Sequence, residues 1–254
     1  GATISASDPT ISTNPAGGVG TLWSNSTSGE LFCCTDATSN NNIWTNVGSG
    51  EGYVGKAFGG RGPGTIAGFA AGGINPSGSN VIDKFLFSSN TTATDHGDLS
   101  VVRGSQGGQS SNTHGYSSGG YNTSDAYVTS IERFSFASNG ATTDVGDLTQ
   151  VVQNGGSASS ASHGYVVGGN TGSATDRIDK FSFTSNSNAN LVGNITSARI
   201  GICSTSSVTH GYVMSGYTNA LVTLIDKFAY ASNTTAASHG SLAQGSYAAA
   251  GHQF

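Results

Sequence analysis

A six-residue phrase recurs four times in this chain, and that repetition limits the possible folds more than any other feature. Ile82-Asp83-Lys84-Phe85-Leu86-Phe87 returns as Ile131-Glu132-Arg133-Phe134-Ser135-Phe136, as Ile178-Asp179-Lys180-Phe181-Ser182-Phe183 and as Ile225-Asp226-Lys227-Phe228-Ala229-Tyr230. The copies are 49, 47 and 47 residues apart, and each is followed after one residue by Ser-Asn. A second landmark, Gly68-Phe69 with Gly72-Gly73, returns as Gly115-Tyr116 with Gly119-Gly120, Gly164-Tyr165 with Gly168-Gly169, and Gly211-Tyr212 with Ser215-Gly216. A third, Gly97-Asp98-Leu99, returns as Gly146-Asp147-Leu148, Gly193-Asn194-Ile195 and Gly240-Ser241-Leu242. Three landmarks in one order, four times over, define a structural unit rather than a composition bias.

Each unit reads as a short meander. In the third copy, strand one is the small-residue run Gly155–Ser159 and strand two is Gly164–Gly169. Strand three is Ile178–Phe183, and a short fourth strand lies near Gly193–Ile195. The Ser-Asn pairs supply turns. No stretch carries a sustained helical period with caps, so almost no helix is expected. The fold class is therefore all-β. Units of about 40–50 residues with four strands are the size of propeller blades. The small-residue strand, the aromatic strand ending in a Gly pair and the following aromatic strand resemble a kelch-type blade across residues 53–254. The usual tryptophan of that pattern is missing, with Leu99 and Leu148 near its position.

A kelch-like ring must close. Residues 245–254 look like an inner strand with nothing after it. Thr21–Ser24, Glu30–Cys34 and Asn42–Asn46 read as three strands. The expectation is a composite fifth blade: three strands from residues 20–48 and a closing strand from 245–254. The alternative is four blades with a separate N-terminal β module. Residues 1–19, polar and holding Pro9 and Pro15, are expected to form an extended arm.

Charge is scarce, at 9% of residues against about 25% in ordinary domains. Nine Lys+Arg against fourteen Asp+Glu cannot build the basic surface of a nucleic-acid binder. No run of about 18 apolar residues is present to insert in a membrane. Eight of the 23 charges sit in the repeated phrase. On a strand, Asp179 shares a face with Phe181 and Phe183, while Lys180 leaves the opposite face. An acid of one unit is thus expected to meet a base of the next, through Asp83/Lys84, Glu132/Arg133, Asp179/Lys180 and Asp226/Lys227.

Residues with catalytic potential are few. His114, His163 and His210 each precede the Gly-Tyr step and read as turn histidines; no metal site and no cofactor are expected. Asp95/Asp98 and Asp144/Asp147 resemble carboxylate pairs, but Asn194 and Ser241 replace the second member in later units, which signals an Asx turn. Cys33, Cys34 and Cys203 form no disulfide framework. The loops after the Gly pair vary most, and equivalent loops fall on one face of a propeller. Tyr121, Asn122, Asn170, Asp176 and Tyr217 are the candidate ligand-binding residues there.

The phrases Ile-Asp-Lys-Phe, Thr-Asp-Val-Gly-Asp-Leu and Ser-x-x-His-Gly-Tyr-x-x-Gly-Gly resemble repeats in structural proteins of marine bacteriophages, cyanophages among them. The stretch from Gly20-Thr21-Leu22-Trp23 to Ile43-Trp44-Thr45-Asn46-Val47-Gly48 resembles a short module of phage tail-fibre-like proteins. The resemblance spans residues 20–254 and carries no catalytic residues. It implies a non-enzymatic virion component, a fibre, appendage or adhesin at the host surface, extracellular and homo-oligomeric, with other virion proteins and a surface glycan as partners. A purely structural decoration or filament subunit is the second reading. A secreted carbohydrate-active enzyme is the third.

Overall fold

The computed structural model describes residues 1–48, 66–74, 78–122, 124 and 126–252. The first unit's small-residue strand, expected after residue 53, lies outside the described residues, as do parts of the loops at 74–80 and 121–130. Among the described residues there is no helix. The chain divides into two compact units, Gly1–Lys56 and Ala57–Phe254.

The first unit holds one sheet: β1 (Thr3–Ser5), β2 (Leu22–Asn25), β3 (Leu31–Asp36) and β4 (Ile43–Gly48), in that order. β1 runs parallel to β2, with Thr3 opposite Trp23. Residues 6–21 give the long crossover that a parallel pair needs. The expected free arm is folded back. The Trp23 indole donates to Ser7 O at 2.9 Å and the Trp44 indole to Thr13 O at 3.1 Å. The rings meet edge to face at 5.9 Å. Half-buried indole N–H groups require acceptors, and the arm supplies them. The edge of this sheet expected of residues 245–254 is therefore taken by Thr3–Ser5.

The second unit holds the repeats as four antiparallel meanders. Repeat one is β5 (Ala67–Gly73), β6 (Ser79–Leu86) and β7 (Thr94–Asp98). Repeat two is β8 (Gly107–Ser110), β9 (His114–Ser118), β10 (Ser130–Ser135) and β11 (Thr143–Asp147). Repeat three is β12 (Gly156–Ser159), β13 (His163–Asn170), β14 (Ala174–Ser182) and β15 (Asn190–Asn194). Repeat four is β16 (Cys203–Ser206), β17 (His210–Met214), β18 (Leu224–Ala229) and β19 (Ala237–Ser241). These small sheets, none closed into a barrel, are consistent with a propeller-like fold.

The core lies between successive repeats rather than inside any one. Tyr116 of repeat two stacks on Phe183 of repeat three at 4.6 Å and tilts against Phe181. Phe69 and Tyr165 make the same pair of contacts one repeat earlier and later. Within each sheet, the first Phe of the phrase lies over the Gly of the Gly-aromatic step. A Cβ at Gly164 would come 2.3 Å from the Phe181 ring, and one at Gly115 2.2 Å from Phe134. The two strongest sequence landmarks are thus the two halves of one packing contact.

The acid and base of the phrase do leave the strand on opposite faces, but they do not pair with each other across repeats. Each base reaches forward to a turn oxygen: Lys84 to Phe136 O at 3.5 Å, Arg133 to Asn186 at 3.4 Å, and Lys180 to Asn233 at 3.2 Å. Lys227 lies over the Tyr212 ring of its own repeat. Each of the last three acids reaches back to a Ser or Thr just after the preceding outer strand. Glu132 accepts from the amide and hydroxyl of Ser100, Asp179 from those of Thr149, and Asp226 from those of Thr196, at 2.7–3.1 Å. Two arginines outside the phrase complete the pairs, Arg103 with Glu132 and Arg199 with Asp226, all four side chains fully buried. Asp83 is exposed. A carboxylate taken out of water needs several donors at once, and an amide, a hydroxyl and a guanidinium converging from one turn provide them. One lysine on a flexible stem does not.

Among the described residues the segment that follows β19 forms no strand. Ser246 N donates to Ser215 Oγ at 2.7 Å, Ala248 N to Gly201 O at 2.8 Å, and Thr205 Oγ1 to His252 O at 3.1 Å. These bonds hold residues 246–252 against repeat four. Gly216 N donates to Ser246 O as Gly120 and Gly169 donate to Val152 and Arg199 in earlier repeats. The chain thus leaves repeat four along the path that it takes out of every other repeat.

Candidate functional site

The inner strands β8, β12 and β16 are sheet edges, whose outward N–H groups need partners. For β8 and β12, serines one repeat later supply them. Ser110 N donates to Ser159 Oγ at 3.2 Å, and Ser159 N to Ser206 Oγ at 3.2 Å. Ser157 N donates to Ser204 Oγ at 2.7 Å, and that hydroxyl donates to Ser157 O at 2.7 Å. The signal was present in the sequence as Ser110, Ser159 and Ser206, spaced at 49 and 47 residues.

A groove of about 370 Å³ runs across these strands and ends at Gly251 and His252. Its wall is Ser, Thr, Gly and Ala, and the His252 imidazole is the one ionisable side chain in it. Cys203, buried at the start of β16, has its thiol pushed up by burial and stays protonated. Such a wall exchanges hydrogen bonds with a neutral polar ligand. Among the described residues its lining holds no carboxylate.

The five loop residues singled out from the sequence lie away from this groove. Tyr121, Asn170 and Tyr217 hold equivalent positions, each doubly hydrogen-bonded through its backbone to Gly104, Gln153 and Ile200 respectively. Asn122 caps the amides of Ser124 and Ala126, and Asn170 caps that of Gly172. Asp176 accepts from Asn194 at 2.8 Å. Among the described residues no hydrogen bond joins any two of the five. The Asn122 and Asn170 side chains build turns, each in its own repeat.

His114, His163 and His210 occupy one repeated turn. Each has Nδ1 at 2.7–2.8 Å from the hydroxyl of the preceding Thr or Ser, and its amide donates to a Ser Oγ at 3.0 Å. Burial holds all three below the usual histidine range, with Arg133, Lys180 and Lys227 adding to the effect. Among the described residues no three of His, Cys, Asp and Glu converge as metal ligands would. Asp95 and Asp144 accept from the Gly97 and Gly146 amides at 2.9 and 3.0 Å, closing Asx turns.

No protein-family model matches the chain, and no curated protein matches it. Among solved structures it is similar to one described as "Structure of YjhT", with a TM-score of 0.61 and 12% identity, over 95% of this chain and 89% of that one. At that identity the likeness concerns the fold alone.

Proposed function

We propose that this chain is a non-enzymatic virion structural protein, a fibre, appendage or adhesin subunit that meets the host surface on a kelch-like propeller of five blades. The observation that carries the non-enzymatic reading is the groove on the inner strands, whose wall offers hydroxyls and a lone imidazole. Acid–base hydrolysis of a glycan needs two positioned carboxyl groups about 5–9.5 Å apart, and the lining supplies none. The virion reading is supported by the repeat phrases and by the Gly20–Gly48 module, which resemble phage structural proteins. Four successive sheets, each packed face to face on the next, and a four-stranded sheet at residues 3–48 support the propeller and its blade number.

Mass spectrometry of purified particles with immunogold localisation tests this reading. The expected result is the chain at a tail or surface appendage. Its absence from particles, or turnover of glycans by the pure protein, overturns it.

A further inference from the structure

Most glycines of the repeats are fixed by packing. Gly164 lies under Phe181, and Gly107 faces Ser157 Oγ, which an added Cβ would approach to 2.6 Å. Gly108 is different. It lines the groove, it is exposed, its φ does not lie in the left-handed region, and a Cβ there meets nothing within 4 Å among the described residues. The equivalent positions in repeats three and four hold Ser157 and Ser204. A glycine in a strand weakens it, and it commonly marks a place where something approaches the backbone closely.

The hydroxyls beside it have capacity to spare. A serine hydroxyl gives one hydrogen bond and accepts two. Ser159 Oγ accepts from Ser110 N, and Ser157 Oγ accepts from Gln109 at 3.3 Å, so both keep a proton to give. Ser110 Oγ makes no hydrogen bond among the described residues. The groove is within the 300–1,000 Å³ range of small-molecule sites. It brings unspent hydroxyls and an open backbone to one place.

We propose that this groove binds an uncharged polyhydroxylated ligand, one or two neutral sugar units held edge-on by Ser110, Ser157 and Ser159 over Gly108. The proposal rests on the adhesin reading for its biological setting and gives that reading a site. Neutral sugars fit because hydroxyls answer hydroxyls. An acidic sugar would lose hydration at its carboxylate with no Lys or Arg among the lining residues to replace it.

Saturation-transfer NMR on the full chain, with lactose, maltotriose and chitotriose against 3′-sialyllactose, tests the assignment. Gly108→Val fills the groove from an unstrained strand position, and Ser110→Ala removes a hydroxyl that holds nothing else. The expected result is transfer to at least one neutral sugar, weakened about tenfold or more by Gly108→Val, with an unchanged melting temperature. No transfer to any neutral sugar overturns the proposal, as does equal binding by both variants. Adhesion of the same proteins to host cells separates the two readings. Adhesion that survives Gly108→Val removes the groove from the adhesin, whereas sugar binding without adhesion removes the adhesin and leaves the groove.

Discussion

The buried ion pairs allow a sharp test of how the repeats hold together. Asp226→Asn keeps the shape of the side chain and removes its charge. Arg199 donates to Asp226 at 3.0 Å with both side chains fully buried, so the substitution leaves a guanidinium without its counter-charge. Breaking one half of such a pair costs about 3–5 kcal/mol. Asp179 makes the same bonds to Thr149, but Val152 stands where Arg103 and Arg199 stand in the other repeats. Asp179→Asn therefore strips no guanidinium of a direct partner, with Arg177 bonded to the Thr149 hydroxyl instead, and loses hydrogen bonds to a charged acceptor, about 1.5–3 kcal/mol. The difference, about 2 kcal/mol, corresponds to about 4–8 °C in melting temperature for a unit of this size. Calorimetry of the two variants measures it. Arg199→Met added to Asp226→Asn is expected to recover most of the loss, because no unpaired charge remains. Lys227→Gln, which removes the base of the same phrase, is expected to cost under about 1 kcal/mol. Equal shifts for Asp179→Asn and Asp226→Asn refute the reasoning, as does a double variant no better than the single one.

Three further outcomes follow from the geometry. Gly164→Ala, whose Cβ would lie 2.3 Å from the Phe181 ring, is expected to destabilise by about 1–3 kcal/mol, while Gly108→Ala leaves the urea midpoint unchanged or raises it; equal midpoints contradict the packing account. Ser204→Ala strips both partners from the Ser157 backbone and is expected to cost about 1–3 kcal/mol and to speed hydrogen exchange at the Ser157 amide. A slow Ser157 amide in that variant means that the edge is protected by something else. His114, His163 and His210 are held below their ordinary range in the folded state, so between the folded values and about 6.5 the unfolded chain binds protons that the folded chain does not. Their contribution to stability is complete above about pH 6.5 and declines as pH falls through that window. Denaturation midpoints from pH 8 to 5 check this, and replacing all three by Gln should flatten the curve.

The strands were legible because their chemistry is local. Alternation and turn residues mark β13 and β14 without any neighbour in view. The structure nonetheless begins β14 at Ala174 rather than Ile178, and β15 at Asn190 rather than near Gly193. Those extensions follow from pairing, because Asn170 opposite Ala174 carries β14 back to Ala174 and Lys180 opposite Asn190 carries β15 back to Asn190. Between them, Ile178 opposite Gly193 and Asp179 opposite Leu191 leave Val192 as an extra residue on the outer strand. The same irregularity recurs after the Ile of every repeat. A period-two reading of one strand contains no bulge on its neighbour.

The candidate site was less legible. Tyr121, Asn170 and Tyr217 stood out as large or polar residues in variable loops, yet what they share is a backbone pairing to Gly104, Gln153 and Ile200. Ser110, Ser157 and Ser159 are ordinary residues in a chain rich in serine. Their position on adjacent sheet edges gathers them beside one groove, and adjacency between repeats is a tertiary fact.

By itself the sequence determined the repeat, its length of about 47 residues, its all-β character and the opposite faces of acid and base, because each depends on backbone period and covalent spacing. Only the tertiary structure decided the partners. Arg103 and Arg199 lie outside the repeated phrase, and burial makes them the counter-charges of Glu132 and Asp226. Thr3–Ser5 completes the first sheet because two indoles pin the arm that follows it. Residues 246–252 repeat the path out of the earlier repeats because Ser215, Gly201 and Thr205 satisfy their polar groups along it. In each case the deciding quantity is which donors and acceptors lose water together, and that is set by the packed neighbours and not by the order of residues along the chain.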